Sequence, residues 1–112
     1  MKPPIDRAHL ERYVIGDKAL LDEILTIFCD QTASWVNEMH PVMDDEAWRL
    51  SAHTLKGSAR GVGAFALGEA AERAERLVGP GVENKRRAAL LDLADCAAKA
   101  IDYARFLRAQ AA

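Results

Sequence analysis

Apolar residues recur at helical spacings between Asp17 and about Met39. Their separations of three, four or seven positions place them on one helical face, and they are Leu21, Leu25, Phe28, Trp35 and Met39. Asp17 is predicted to cap the start of this helix, and Pro41 to stop it or to lie just beyond its end. Upstream, residues 5–14 are predicted to form one or two helical turns before Gly16 interrupts them.

A second long helix is predicted after Pro41. Asp44 or Asp45 can cap its start, and it then runs through Trp48 and Leu55. Three glycines are expected to weaken it beyond that point, namely Gly57, Gly61 and Gly63.

Two more helices complete the pattern. The first runs from about Phe65 to Val78 and ends at Gly79-Pro80-Gly81. Its predicted inner residues are Leu67, Ala70, Ala71, Ala74 and Leu77. The other runs from about Asn84 to Ala109. Its aligned positions are Leu90, Ala94, Ala97, Ile101, Ala104 and Leu107 or Arg108.

Four long amphipathic helices with short connections predict an all-α protein. The expected architecture is an antiparallel four-helix bundle with a short N-terminal helical segment. Strand-forming valine, isoleucine and threonine are sparse, whereas helix-favouring alanine and leucine are common. Because no repeat or low-complexity tract interrupts the pattern, residues 1–112 are predicted to form one domain.

Composition narrows the functional classes. The chain has 112 residues, of which 50% are apolar and 29% charged, as in a globular domain with room for one site. Its formal net charge of -2 creates no large positive field. Nucleic acid and anionic membrane surfaces are therefore not expected partners.

The two cysteines, Cys29 and Cys96, lie within helical patterns, which suits buried thiols in a reducing compartment. Residues 1–6 lack the apolar core of a signal peptide. No stretch reaches the roughly 18 apolar residues that span a bilayer. A cytoplasmic monomer is therefore expected.

The stretch around position 53 separates into two faces when it is placed on a helix. The predicted core side consists of Trp48, Ser51, Leu55, Ser58, Ala59 and Val62. The opposite side carries Glu46, Arg49, His53, Lys56, Gly57 and Arg60. His53 is therefore predicted to point toward solvent and to be flanked by positive charge.

The residues of this exposed patch are suited to one specific reaction, the attachment of a phosphoryl group to His53. A neutral imidazole is a competent nucleophile near neutral pH, and Lys56 can stabilise the charge of a phosphoryl group on His53, with help from Arg49 or Arg60. Gly57 leaves room for a partner's surface, although glycine costs a helix about 0.5 to 1 kcal/mol relative to alanine. Alone, each feature has an ordinary interpretation: a surface histidine, a solvated lysine, or a glycine that begins the helix end. The combination favours a reactive site.

The run Ala52-His53-Thr54-Leu55-Lys56-Gly57-Ser58-Ala59 closely resembles the signature of histidine-containing phosphotransfer (HPt) domains. The likeness continues through Gly63-Ala64 and Leu67 into the helix at 69–77 and, in helix order and length, covers nearly the whole chain. It implies a bundle in which a histidine accepts a phosphoryl group from a receiver-domain phosphoaspartate. The histidine then passes this group to the aspartate of another receiver.

By this resemblance His53 is the phosphoacceptor, Lys56 the stabilising cation and Gly57 the access residue. Arg60 stands where family members commonly have a small or polar residue, so we expect it to tune partner choice. The implied partners are receiver domains of response regulators or hybrid histidine kinases. We expect no metal or cofactor in this chain, which would act as a phosphoryl carrier whose catalytic metal and acidic groups belong to the receiver.

Docking requires apolar surface as well as charge. The predicted docking set is Glu46, Arg49, Leu50, Thr54 and Arg60. Ile5 or Leu10 can join this set or pack inside the bundle.

Other site types fit less well. His9 can be a simple surface residue, and the dipole of a helix end is sufficient to explain His40. The histidines and cysteines show no close metal-binding pair, and neither a preceding strand nor a G-x-x-x-x-G-K-[ST] motif supports a nucleotide loop. A helical adaptor that binds a signalling partner through the same face, without chemistry, is the alternative function.

Overall fold

The computed structural model describes residues 2–111, which form helices and contain no strand. Within this range there are five helices: α1 Arg7–Val14, α2 Lys18–Glu38, α3 Asp45–Val62, α4 Phe65–Glu75 and α5 Glu83–Ala111. The predicted all-α class is therefore confirmed.

Aspartate side chains begin the first three helices, because their carboxylates accept the otherwise unpaired amides of the first turn. Asp6 accepts from the amide of residue 9 and Asp17 from that of residue 20, at 3.2 and 3.0 Å. Asp44 accepts from the amide of residue 47 at 2.8 Å. Of the two candidates for the cap of α3, Asp44 is thus the cap, and Asp45 lies in the first turn.

The predicted weakening of α3 is wrong for Gly57 and Gly61, since the helix passes through both, and it is confirmed at Gly63, because the helix ends at Val62. Gly63 is the residue that stops it, with a left-handed φ of 88°. A Cβ atom at Gly63 would lie 2.9 Å from the carbonyl oxygen of Asp6, whose amide donates to the Gly63 oxygen. The close approach of the N-terminal segment therefore requires glycine at this corner.

The helices α2 to α5 enclose a common core. Helix α3 packs most extensively against α4, α2 contacts both α3 and α5, and α4 contacts α5. The short helix α1 touches α2 and α3. The largest fully buried side chains are Trp48, Phe28, Ile5, Leu10, Leu25, Leu55, Leu67 and Leu93.

Several predicted core positions need correction. Ala94 is exposed, and the buried stripe of α5 instead follows Leu93, Ala97, Ala100, Ala104 and Leu107. Those positions alternate spacings of four and three, which keeps them on one face. Ile5 and Leu10 are fully buried, so they belong to the core and not to a docking surface. Helix α4 ends at Glu75, three residues before the predicted Val78.

A buried arginine connects the two loops at one end of the molecule. The side chain of Arg86 is 3% exposed. Its guanidinium donates to three backbone oxygens and to one carboxylate oxygen, those of Pro41, Met43, Leu77 and Asp45. These hydrogen bonds compensate the desolvation cost of burying the Arg86 charge.

Within the part of the chain that the structure describes, no helix is both long and apolar enough to cross a membrane.

Candidate functional site

His53 lies on the exposed face of α3, as predicted, with 59% of its side chain accessible. Its Nδ1 atom is 3.2 Å from Oε2 of Glu75, the last residue of α4. The predicted burial of the opposite face is also confirmed, except that Ser58 is only half-buried. The imidazole is therefore held on one side by α4 and open to solvent on another.

Lys56 shares the same carboxylate. Its ammonium nitrogen lies 2.7 Å from Oε1 and 3.2 Å from Oε2 of Glu75, and both side chains are only 17% exposed. Lys56 follows His53 by one helical turn, and its charge is paired with Glu75. The carboxylate of Glu75 joins His53 and Lys56 into a triad.

Glu75 is ionised in this triad. The hydrogen bond from Lys56 lowers the pKa of the Glu75 carboxyl, the bond to His53 acts in the same direction, and partial burial opposes both. An ionised carboxylate can accept hydrogen bonds and cannot donate them. The Nδ1 atom of His53 must therefore carry the hydrogen of the contact, which leaves the lone pair of a neutral ring on Nε2.

Sequence reasoning missed Glu75, although a signal for it existed. His53 lies ten residues before Gly63, and Glu75 lies eleven residues after Ala64. Two helices joined by such a tight turn run side by side, so residues at similar distances from the turn face each other. A search for acidic residues at that distance would have found Glu75.

Gly57 lies one helical turn after His53 and is exposed. A Cβ atom added to it would meet no atom within 4 Å. Nothing inside the described chain therefore requires glycine at this mid-helix position. Because Gly57 has no side chain, no atom projects from this position beside the imidazole.

The predicted docking residues differ in exposure. Glu46, Arg49 and Leu50 are exposed, and Leu50 shows 53% of its surface. Thr54 is half-buried. Arg60 is exposed, and it donates to Glu72 of α4 at 3.1 Å.

The other candidate residues have packing explanations. His9 is half-buried and packs edge-on against the rings of Tyr13 and Phe65. Its Nε2 atom is buried and has no hydrogen-bond partner among the described residues, so His9 is not a simple surface residue. Both cysteines are free, and burial raises the pKa of each thiol, which disfavours the reactive thiolate. Among residues 2–111, no three acidic, cysteine or histidine side chains cluster as a metal site would require.

The sequence profile of the Hpt domain matches residues 23–109. The match includes most of α2, all of α3 and α4, and α5 almost to its end, and it contains the whole triad. Comparison with curated proteins gives no match, and comparison with solved structures gives none either. The profile covers well over half of the sequence, and the chain therefore belongs to the Hpt domain family, whose members carry phosphoryl groups in two-component phosphotransfer.

Proposed function

We propose that His53 accepts a phosphoryl group on Nε2 from a receiver-domain phosphoaspartate and passes it to the aspartate of a second receiver. The observation that carries this proposal is the triad, in which Glu75 holds Nδ1 of an exposed imidazole and Lys56 lies beside it. Family membership supports the reaction class. The resulting protein is a phosphoryl carrier.

The transfer step needs no proton to move. As the Nε2–P bond forms, the bond from phosphorus to the aspartyl oxygen breaks, and the receiver carboxylate takes that electron pair. The ring keeps its hydrogen on Nδ1 and gains positive charge, which the carboxylate of Glu75 stabilises. In the onward step an oxygen of the second receiver's aspartate bonds to phosphorus as the N–P bond breaks, and the electron pair of that bond returns to Nε2.

Lys56 supplies the positive charge for the phosphorylated state. A phosphoryl group brings about one and a half to two negative charges at neutral pH. The ammonium group already lies one turn from His53, so it can bond to the new oxygens while it stays near Glu75. Its pairing in the resting protein keeps it in place without closing the Nε2 side of the ring.

The partner reaches His53 over Gly57. Because Gly57 has no side chain, and an added Cβ atom would meet no side chain or other helix within 4 Å in residues 2–111, a receiver's active-site edge can approach the imidazole there. The surrounding docking set is Glu46, Arg49, Leu50, Thr54 and Arg60. Leu50 contributes apolar surface, and the Arg60–Glu72 pair tunes which receiver is preferred. The catalytic metal and acidic groups belong to the receiver.

The same proposal includes the arrangement of the helices, the oligomeric state, the cellular location and the partners of the chain. The ring of contacts among α2, α3, α4 and α5 supports an antiparallel four-helix bundle with α1 added at its N-terminal side. Residues 1–112 then form one phosphotransfer domain that works as a cytoplasmic monomer. Its partners are receiver domains of response regulators or hybrid kinases, with no role for nucleic acid, membrane or a bound cofactor.

The test is phosphoryl transfer from a panel of phosphorylated receiver domains of the same organism. We expect rapid labelling of the wild-type chain and of the His40→Gln variant, which alters an exposed histidine outside the triad. His53→Gln should be folded and unlabelled. Labelling that persists in His53→Gln would overturn the proposal. Receiver binding that survives His53→Gln, together with no labelling of any histidine in the wild type, would instead identify an adaptor.

A further inference from the structure

We propose that Trp48 and Arg86 are positioning residues that clamp the end of α4 and thereby hold Glu75 against His53. This inference deepens the proposed function, because it names what sets the geometry of the triad. We call the Trp48–Arg86 pair and its bonds to α4 the clamp. Within residues 2–111, neither side chain forms a hydrogen bond with His53.

Trp48 fixes the backbone just before Glu75. Its ring is fully buried between α3 and the neighbouring helices. The Nε1–H group donates to the carbonyl oxygen of Ala74 at 2.7 Å. The same oxygen accepts the amide of Leu77 at 3.0 Å. The residue that precedes Glu75 is therefore tied to the helix that carries His53.

Arg86 fixes the backbone just after Glu75. Its Nε donates to the carbonyl oxygen of Leu77 at 2.9 Å. Its guanidinium carbon lies 4.6 Å from the centre of the Trp48 ring, a distance at which a cation is attracted to the aromatic face. The two side chains thus contact each other and bind carbonyls on either side of Glu75.

The clamp acts where a helix is intrinsically weak. The last carbonyls of a helix have no partner within it, and helix ends open more readily than their middles. Helix α4 has only 11 residues, lacks a side-chain cap at its start and ends at Glu75 itself. Without outside partners, the residue that holds the imidazole would lie on a fraying end.

The clamp is anchored on the far side as well. Arg86 also donates to the oxygens of Pro41 and Met43 in the loop before α3, at 3.2 and 2.7 Å. It pairs with Asp45 in the first turn of α3 at 2.7 Å, and the other oxygen of Asp45 accepts the amide of Gly79. The end of α4 is therefore connected, through Arg86 and Asp45, to the start of the helix that bears His53.

The experiment compares Trp48→Phe and Arg86→Lys with the wild-type chain. Phenylalanine keeps an aromatic ring for the guanidinium and removes the Nε1 donor, while lysine keeps the charge and cannot make the same set of bonds. Leu107→Ala is the matched control, since it opens a cavity in α5 near Leu10 and Val14, away from the clamp. All measurements are made well below the unfolding temperature of each variant.

The readouts are the ¹⁵N shifts of the His53 ring, the exchange rate of the Leu77 amide, and phosphorylation by phosphoramidate, a small P–N donor. Losing one hydrogen bond to a buried carbonyl should lower the ratio of attached to detached Glu75 about tenfold. We therefore expect the Nδ1–H tautomer to lose population, the Leu77 amide to exchange about tenfold faster, and phosphorylation to slow in both clamp variants. Leu107→Ala should match the wild type in all three.

Wild-type ring shifts and wild-type phosphorylation rates in both clamp variants would overturn the inference. Equal effects in Leu107→Ala would also overturn it, because they would reflect general destabilisation. The ring shifts do not depend on any receiver. They separate failure of the clamp from failure of the proposed phosphotransfer, which would appear as an unlabelled wild-type chain with receivers.

Discussion

Replacing Glu75 by glutamine is expected to slow phosphorylation of His53 about tenfold while the fold is kept. The carboxylate offers one oxygen to Nδ1 of His53 at 3.2 Å and another to the ammonium of Lys56 at 2.7 Å. An amide has only one accepting oxygen, and its NH₂ group faces whichever donor is left. The variant therefore loses either the hold on the ring or the hold on the lysine, and it loses the negative charge in both cases.

The expected tenfold reduction in rate follows from the short distance between Glu75 and His53 and from the solvent exposure of both side chains. Two unit charges about 4 Å apart interact by about 1 kcal/mol in water and about 4 kcal/mol near a protein surface. His53 is 59% exposed and Glu75 17%, so the lower part of that range applies. A loss of about 1.4 kcal/mol of stabilisation for the charge that develops on the ring corresponds to a factor of ten in rate.

The assay is rapid-quench phosphorylation, with a phosphorylated receiver domain and, separately, with phosphoramidate. The small donor isolates the chemistry at the imidazole from docking, so the same reduction should be seen with both. Glu69→Gln is the control, because it removes one exposed carboxylate of α4 that belongs neither to the triad nor to the docking set. Rates within twofold of the wild type for Glu75→Gln with both donors would refute the electrostatic role of Glu75.

Three further predictions test the surroundings of the triad. Gly57→Leu should fold with slightly raised thermal stability, because nothing lies within 4 Å of an added Cβ. The leucine side chain should block the docked receiver, so phosphoryl transfer from receivers should be lost while labelling by phosphoramidate persists. Because the pKa of Glu75 is lowered in the folded state, its ionisation stabilises the fold at pH values above the ordinary pKa of 4.5, and this contribution should be lost as the pH falls below that value. Urea titrations should show that the wild-type chain is more stable than Lys56→Met at neutral pH and that this difference shrinks below pH 4.5. Gly63→Ala should destabilise the protein by about 1 to 3 kcal/mol in thermal unfolding, because the new Cβ meets the Asp6 oxygen and φ is positive; an unchanged midpoint would contradict this.

Local signals in the sequence predicted the helices well. The cap at Asp17, the choice of Asp44 or Asp45 for the cap of α3, and the position of His53 on an exposed face depend on residues within one or two turns. The structure agrees with each of them and selects Asp44. The glycine pattern misled the prediction of α3, because packing against α4 outweighs the small helix penalty at Gly57 and Gly61. Tertiary contacts routinely override such local preferences.

The rest of the site depends on contacts that lie far apart in the sequence. Glu75 is 22 positions from His53 in the chain, and its role follows only from the packing of α4 on α3. Arg86 was unforeseen because an arginine is expected at the surface, and only the fold supplies the backbone oxygens that satisfy it. Ile5 and Leu10 were ambiguous for the same reason, since the N-terminal segment alone does not reveal which of its side chains are buried.

The most direct test of the central claim is to locate the phosphoryl group by ¹⁵N and ³¹P NMR after reaction with a phosphorylated receiver domain. We predict a single phosphorus bonded to Nε2 of His53, with the ring hydrogen still on Nδ1 beside Glu75. Phosphorus on Nδ1, on any other residue, or on no residue of the chain with every receiver tested would contradict the account.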